Sequence, residues 1–199
     1  MADQLLLIRH GLIAANREGR WHGSTDSSLT WQGRRQAKRA AAQVQRHPPA
    51  PTALYVSPLR RCRSTAAPIA DAFGLEPIIH DDLREWDIGE WENQPFTVLA
   101  KEYNFMGKIR HDPHFAPPGG ESLAAVTERM VAAFREIHAC HEGRVVIVSH
   151  GASMAAALAH LLDNDPHRWS HYLTENCSLT ELVLDIAPYV NFFNRTEHL

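Results

Sequence analysis

The chain has 199 residues, of which 44% are apolar and 22% charged, with a formal net charge of −3; that is enough for one domain with a full hydrophobic core and cramped for two. Without a basic excess it lacks the field that holds nucleic acid or an anionic membrane surface. Cys62, Cys140 and Cys177, each in what reads as a regular element, argue against a disulfide framework, and the short opening apolar run lacks a basic flank, so a cytoplasmic protein with no membrane segment is expected.

In chain order, Leu5-Leu6-Leu7-Ile8 reads as a strand covered on both faces, ending at Arg9-His10-Gly11. Thr30 is placed to cap a helix running to about Gln45. A second buried strand, residues 53–56, ends at Ser57-Pro58, where Ser57 as cap and Pro58 at the first helical position predict a helix closed by Gly74. The stretch 93–120, rich in Pro, Gly, His and aromatics, is the least regular and is expected to be a substrate-covering flap on a single domain spanning residues 1–199. Ser122 caps a helix to about His141, stopped by Gly143. A third buried strand, residues 145–148, ends at Ser149-His150-Gly151 and leads into another helix-like pattern. Residues 179–186 and 189–193 read as final strands, the second at an edge on which a homodimer can form. Strands alternating with helices make this an α/β chain.

In open α/β sheets the ligand crevice lies beyond the carboxyl ends of the strands. The three polar strand ends gather Arg9, His10, Ser57, Arg60, Arg61, Arg63, Ser149 and His150 around one point, beside helix N-termini. Such a set suits a dianion, most naturally a phosphate. Arg9 and Arg61 are the preferred clamps, because a planar guanidinium can hold two phosphate oxygens at once. His10 can attack phosphorus through one ring nitrogen while the other donates to a fixed acceptor, and Gly11 lets backbone approach closely. His150 supplies a second donor. The leaving alkoxide needs a proton from a carboxylic acid: Glu85 is the first choice, with Asp87, Glu90 and Glu92 as alternatives.

Arg9-His10-Gly11 after the first strand, Asn16, Gly23 with Asp26, Leu29-Thr30, Gly33 and Gln36-Ala37 resemble the opening of the histidine phosphatase (phosphoglycerate mutase-like) superfamily. Residues 57–66 resemble its second-arginine motif, in which the arginine four residues after the serine binds phosphate; here that is Arg61, with Cys62 where alanine is usual. Residues 83–92 resemble the segment whose first glutamate is the proton donor, which selects Glu85; Pro118-Gly119-Gly120-Glu121-Ser122 and Ser149-His150-Gly151 resemble the last two blocks. The resemblance runs from residue 4 to about 184. It implies a three-layer α/β/α sandwich with a mostly parallel sheet, phosphorylation of His10, a phosphate held by Arg9, Arg61 and His150 with Asn16 assisting, and no metal or other cofactor. Gly11, His22, Gly23 and Gly151 are expected at the substrate. Ile13, Asn93 and Ala155 depart from the family's usual residues and touch specificity more than chemistry.

Phosphatase and mutase share the phosphohistidine step and differ in the acceptor. Mutases of this family resemble longer chains with an arginine-bearing insertion after the proton-donor glutamate, whereas this chain offers only Lys101, Lys108 and Arg110 there, and Ser149 stands where mutases tend to have alanine. The expected activity is hydrolysis of a small-molecule phosphomonoester, in a branch resembling α-ribazole phosphatase; a mutase comes second, and a catalytically silent phosphate-binding module third. His138, Cys140 and His141 do not share one helical face and read as a frayed helix end rather than a metal site.

Overall fold

The leucine run near the start becomes β1, Ala2–Arg9, whose side chains alternate between the two faces of a central sheet. The computed structural model describes residues Met1–Leu199. After β1 come α1 (Ala14–Glu18), α2 (Trp31–Arg46), β2 (Pro51–Val56), α3 (Arg60–Phe73) and the two-residue β3 (Ile78–Ile79). Then follow α4 (Phe96–Lys101), α5 (Phe105–His111), α6 (Leu123–Cys140), β4 (Gly143–Ser149), α7 (Gly151–Asp163), β5 (Leu179–Val183) and β6 (Tyr189–Arg195). The strands lie in the order β3-β2-β4-β1-β5-β6. The pairings β2–β3, β2–β4 and β1–β4 are parallel, and β1–β5 and β5–β6 antiparallel.

Burial on both faces accounts for the continuous apolar runs. Leu5 and Leu7 of β1 and Val145 and Ile147 of β4 face one way, onto a core that includes Met130 and Phe134 of α6 and Met154 of α7. Leu6, Ile8, Val146 and Val148 face the other way, onto Ala37, Ala40 and Val44 of α2 and Ala66 and Ile69 of α3. The result is the expected three-layer sandwich with a mostly parallel sheet. Thr30 and Ser122 cap α2 and α6, accepting from Gly33 N and Ala125 N. No helix is long and apolar enough to cross a membrane.

Several local expectations need correction. Helix α3 begins at Arg60, not Pro58, so Ser57 stands too far ahead to cap it, and its hydroxyl pairs instead with His150 Nε2 at 2.7 Å. Asp26 takes over, its Oδ1 accepting Arg60 N–H at 2.8 Å. Strand β5 stops at Val183, short of residue 186: Ile186 is fully exposed in the turn that leads to β6. Cys177 lies in a turn with φ of 60° instead of a regular element, although all three cysteines are free as read. Residues 93–120 are less irregular than expected, since they carry α4 and α5.

Candidate active site

His10 follows directly on β1, and its surroundings hold both its backbone and its ring. The backbone N–H of His10 donates to Ser149 O at 3.0 Å, Asn176 Nδ2 donates to His10 O at 2.9 Å, and Gly11 N–H donates to the Thr65 hydroxyl at 2.9 Å. A Cβ on Gly11 would sit 2.6 Å from Gly33 O, so only glycine fits this turn. The ring Nδ1 lies 2.9 Å from Gly11 O; a carbonyl only accepts, so Nδ1 carries the proton and Nε2 presents its lone pair. Burial, then the charges of Arg61 and Arg9, hold the ring's pKa well below the usual histidine value. His10 is therefore neutral at physiological pH.

Arg61 is fully buried and tied down on most sides. Its Nη1 donates to Thr25 O at 2.8 Å, its Nη2 to Gly23 O at 2.8 Å and His22 O at 3.1 Å, and its Nε to His150 Nδ1 at 3.1 Å. Of the five guanidinium N–H groups this leaves one on Nη1. Because Arg61 can only donate, His150 Nδ1 is the acceptor, and His150 Nε2 donates to Ser57 Oγ at 2.7 Å. His150 is thus neutral, with both nitrogens engaged; burial and Arg61 push its pKa well down. Its ring meets that of His10 edge-on at 5.3 Å.

The loop that feeds carbonyls to Arg61 is gripped by Glu92. The Glu92 carboxylate accepts from the amides of Gly23 at 2.9 and 3.0 Å, Ser24 at 3.3 Å and Thr25 at 3.2 Å, and from the Thr25 hydroxyl at 2.7 Å. Sequence reading had Glu92 among the possible acids; the structure makes it a positioning residue. Glu85, the first choice for the acid, lines the cavity and is 9% exposed. Its Oε1 accepts Ser153 N–H at 2.7 Å and Trp86 N–H at 2.9 Å, and its Oε2 accepts Ala152 N–H at 3.1 Å, which aims it from the N-terminus of α7. The Asp87 carboxylate is spent on Gly89 N–H at 2.8 Å, and Glu90 is exposed.

A cavity of about 350 Å³ opens over these groups. Arg9, His10, Asn16, His22, Glu85 and Gly151 line it; Gly11, Gly23, Arg61 and His150 lie behind that surface. Arg9 donates through Nη1 to Thr174 O, and its Nε has no protein partner. Its guanidinium comes within 3.5 Å of where a Gly151 Cβ would sit, so Gly151 makes room for the clamp. Asn16 accepts from Asn176 Nδ2 at 3.2 Å and from Ile13 N at 3.3 Å, leaving its own amide N–H groups unbonded. The sequence carries no sign of Asn176 and Thr65, which hold the backbone of His10 and Gly11 from 166 and 54 residues away. Arg60, Arg63, His111 and His114 are exposed and outside the cavity, and His141 bonds the Tyr55 hydroxyl at 2.8 Å.

The arrangement sets a neutral imidazole with an open lone pair, one arginine and a carboxyl group around one hollow, with a second arginine behind them. A family model described as the histidine phosphatase superfamily (branch 1) matches residues 5–189. A probable phosphoglycerate mutase of Yersinia enterocolitica is 33% identical over 193 residues, covering 94% of this chain and 87% of that protein. Phosphoserine phosphatase 1 of Hydrogenobacter thermophilus is 31% identical over 185 residues, covering 92% and 87%. The solved structure of mycobacterial glucosyl-3-phosphoglycerate phosphatase complexed with VO3 superposes with a TM-score of 0.86 at 30% identity, covering 98% of this chain and all of that one.

Proposed function

The chain belongs to the histidine phosphatase superfamily, branch 1, and on that premise we propose that it hydrolyses a small-molecule phosphomonoester through a phosphohistidine on His10. The observation that carries this reading is the Nδ1 proton of His10 committed to Gly11 O, which leaves the Nε2 lone pair on a residue that lines the cavity. The lone pair attacks phosphorus, the P–O ester bond breaks, and the leaving oxygen takes its electron pair together with a proton from Glu85. Water then adds to phosphorus, Glu85 takes the water's proton, and the N–P bond breaks with its electron pair returning to Nε2.

Arg9 Nε and the remaining Nη1 donor of Arg61 hold the equatorial oxygens, with the amide of Asn16 assisting. His150 backs this set, its Nδ1 accepting from Arg61 Nε and so fixing the orientation of that guanidinium. We assign residues 93–120 as a flap whose helices α4 and α5 wall the substrate, and a cytoplasmic location on the strength of the three free cysteines.

The test is phosphate release from p-nitrophenyl phosphate and from phosphoglycerates with bisphosphoglycerate present, in buffer and in strong chelator. Released phosphate, undiminished by chelator and abolished in His10→Ala, is expected. Interconversion of phosphoglycerates without release would make the enzyme a mutase, and turnover by His10→Ala would remove the nucleophile.

A further inference from the structure

The floor of the cavity is polar, but its wall is not. Nine of the sixteen lining residues are apolar, and seven of them, including Phe96, Leu99, Phe105, Met106, Trp169 and Leu173, stand on α4, α5 and the segment after α7. Three of these keep an unusually large share of apolar surface in contact with water: Phe96 is 49% exposed, Met106 37% and Leu173 44%. Grouped around one concavity, such residues mark a surface made to be covered.

No cation of α4 or α5 faces the cavity to recognise a carboxylate. The Lys108 ammonium lies over the rings of Trp91 and Phe115, at 5.1 and 5.2 Å. Arg110 borders a separate, smaller depression, and Lys101 is outside the cavity altogether. Beyond the phosphate clamps, Arg20 is the one cation lining the cavity; it stands off the α4–α5 wall, and two of its five N–H groups are spent on Asn93 O at 2.8 Å and Glu18 at 3.4 Å. A carboxylate laid against the α4–α5 wall itself would lose water and meet no cation there, whereas an alkyl or aryl group would bury apolar surface on both sides.

Resting on the phosphatase reading above, we propose that the substrate is a phosphomonoester of an apolar alcohol, with no carboxylate near the phosphate. That separates this chain from the relatives named for phosphoserine and phosphoglycerates. The α4–α5 wall is then the specificity determinant, binding the leaving group while the floor performs the transfer.

The experiment is a rate series on methyl, butyl and hexyl phosphate beside O-phosphoserine, 3-phosphoglycerate and glycerol 3-phosphate. All have alkanol leaving groups, so kcat/KM reads the wall more than the basicity of the departing oxygen. A rise of roughly threefold per added methylene is expected, with hexyl phosphate at least about thirtyfold above either carboxylate ester. Leu173→Asp and Met106→Asp, at exposed positions that the fold tolerates, should each cut the hexyl-to-methyl ratio by about tenfold. A flat or falling series, or preference for a carboxylate ester, overturns the apolar-substrate inference and leaves the phosphatase standing. Absence of phosphate release from every ester, p-nitrophenyl phosphate included, overturns both.

Discussion

Glutamine in place of Glu92 is the most demanding test of how the phosphate clamp is held. The side chain keeps its shape, but it loses the negative charge and turns an amino group toward backbone N–H donors. Oε2 alone accepts from Gly23 N, Thr25 N and the Thr25 hydroxyl, and Oε1 from Gly23 N, Ser24 N and Ile88 N. Because Gly23 N reaches both oxygens, stripping either one leaves two donors without a good partner, at about 1–3 kcal/mol for each one shielded from water. Since Gly23 and Ile88 are buried, Thr25 half-buried and Ser24 exposed, a net loss of about 2–4 kcal/mol is expected, a large share of the ~5–15 kcal/mol of a typical domain. Urea unfolding measures this as a lower midpoint at unchanged slope. Arg61 draws three carbonyl partners from residues 22–25, so the folded variant should also lose about 10–100-fold in kcat/KM on p-nitrophenyl phosphate. In an Arg61→Lys background the same replacement should cost far less activity, because the fork it positions is gone. An unchanged midpoint, or additive losses in the double variant, would refute the claim that Glu92 acts through Arg61.

Two further outcomes follow from buried titratable groups. The pKa values of His10 and His150 are held below the ordinary value, mainly by burial, so as pH falls through about 6.5 the unfolded chain takes up protons that the folded chain refuses. Stability should therefore fall with acidification by up to about 1.4 kcal/mol per pH unit for each ring, until the folded rings titrate; urea unfolding between pH 7.5 and 5 should show a shallower slope for His10→Gln, and an equal slope would contradict the assignment. Burial pushes the Cys62 and Cys177 thiols up to about 12 while Cys140 is exposed. Thiol titration with Ellman's reagent should accordingly count one cysteine in the native protein and three in guanidinium, and rapid labelling of a second native thiol would show the core to be looser than described.

Local pattern went far in locating the elements. The runs at Leu5, Ala53 and Val145 became adjacent parallel strands because apolar side chains on both faces demand cover on both faces. Thr30 and Ser122 capped as read, since each needs only an amide three residues on. Ser57 matched the same local rule and failed it: the helix starts only at Arg60, and the hydroxyl pairs with a histidine 93 residues away. Glu92 stood out only as an alternative acid, and its positioning role, like those of Asn176 and Thr65, carried no signal, because such roles exist only once distant segments meet. The apolar wall was equally hidden. A phenylalanine on α4 and a leucine beyond α7 look like ordinary core residues until the fold turns them to one opening.

The contrast between floor and wall sets how this enzyme is free to diverge. At the floor, backbone rests on backbone: a Cβ on Gly33 would meet Leu12 O at 2.3 Å and one on Gly23 would meet Trp86 O at 2.2 Å, so almost any replacement there must shift the main chain. The wall stands on helices of six and seven residues whose rim side chains are partly in water. Replacing those side chains alters what the cavity welcomes at little expense in folding free energy. A lineage can therefore exchange one alcohol for another through a handful of surface substitutions while its transfer chemistry stays frozen, an asymmetry of evolvability built into the packing.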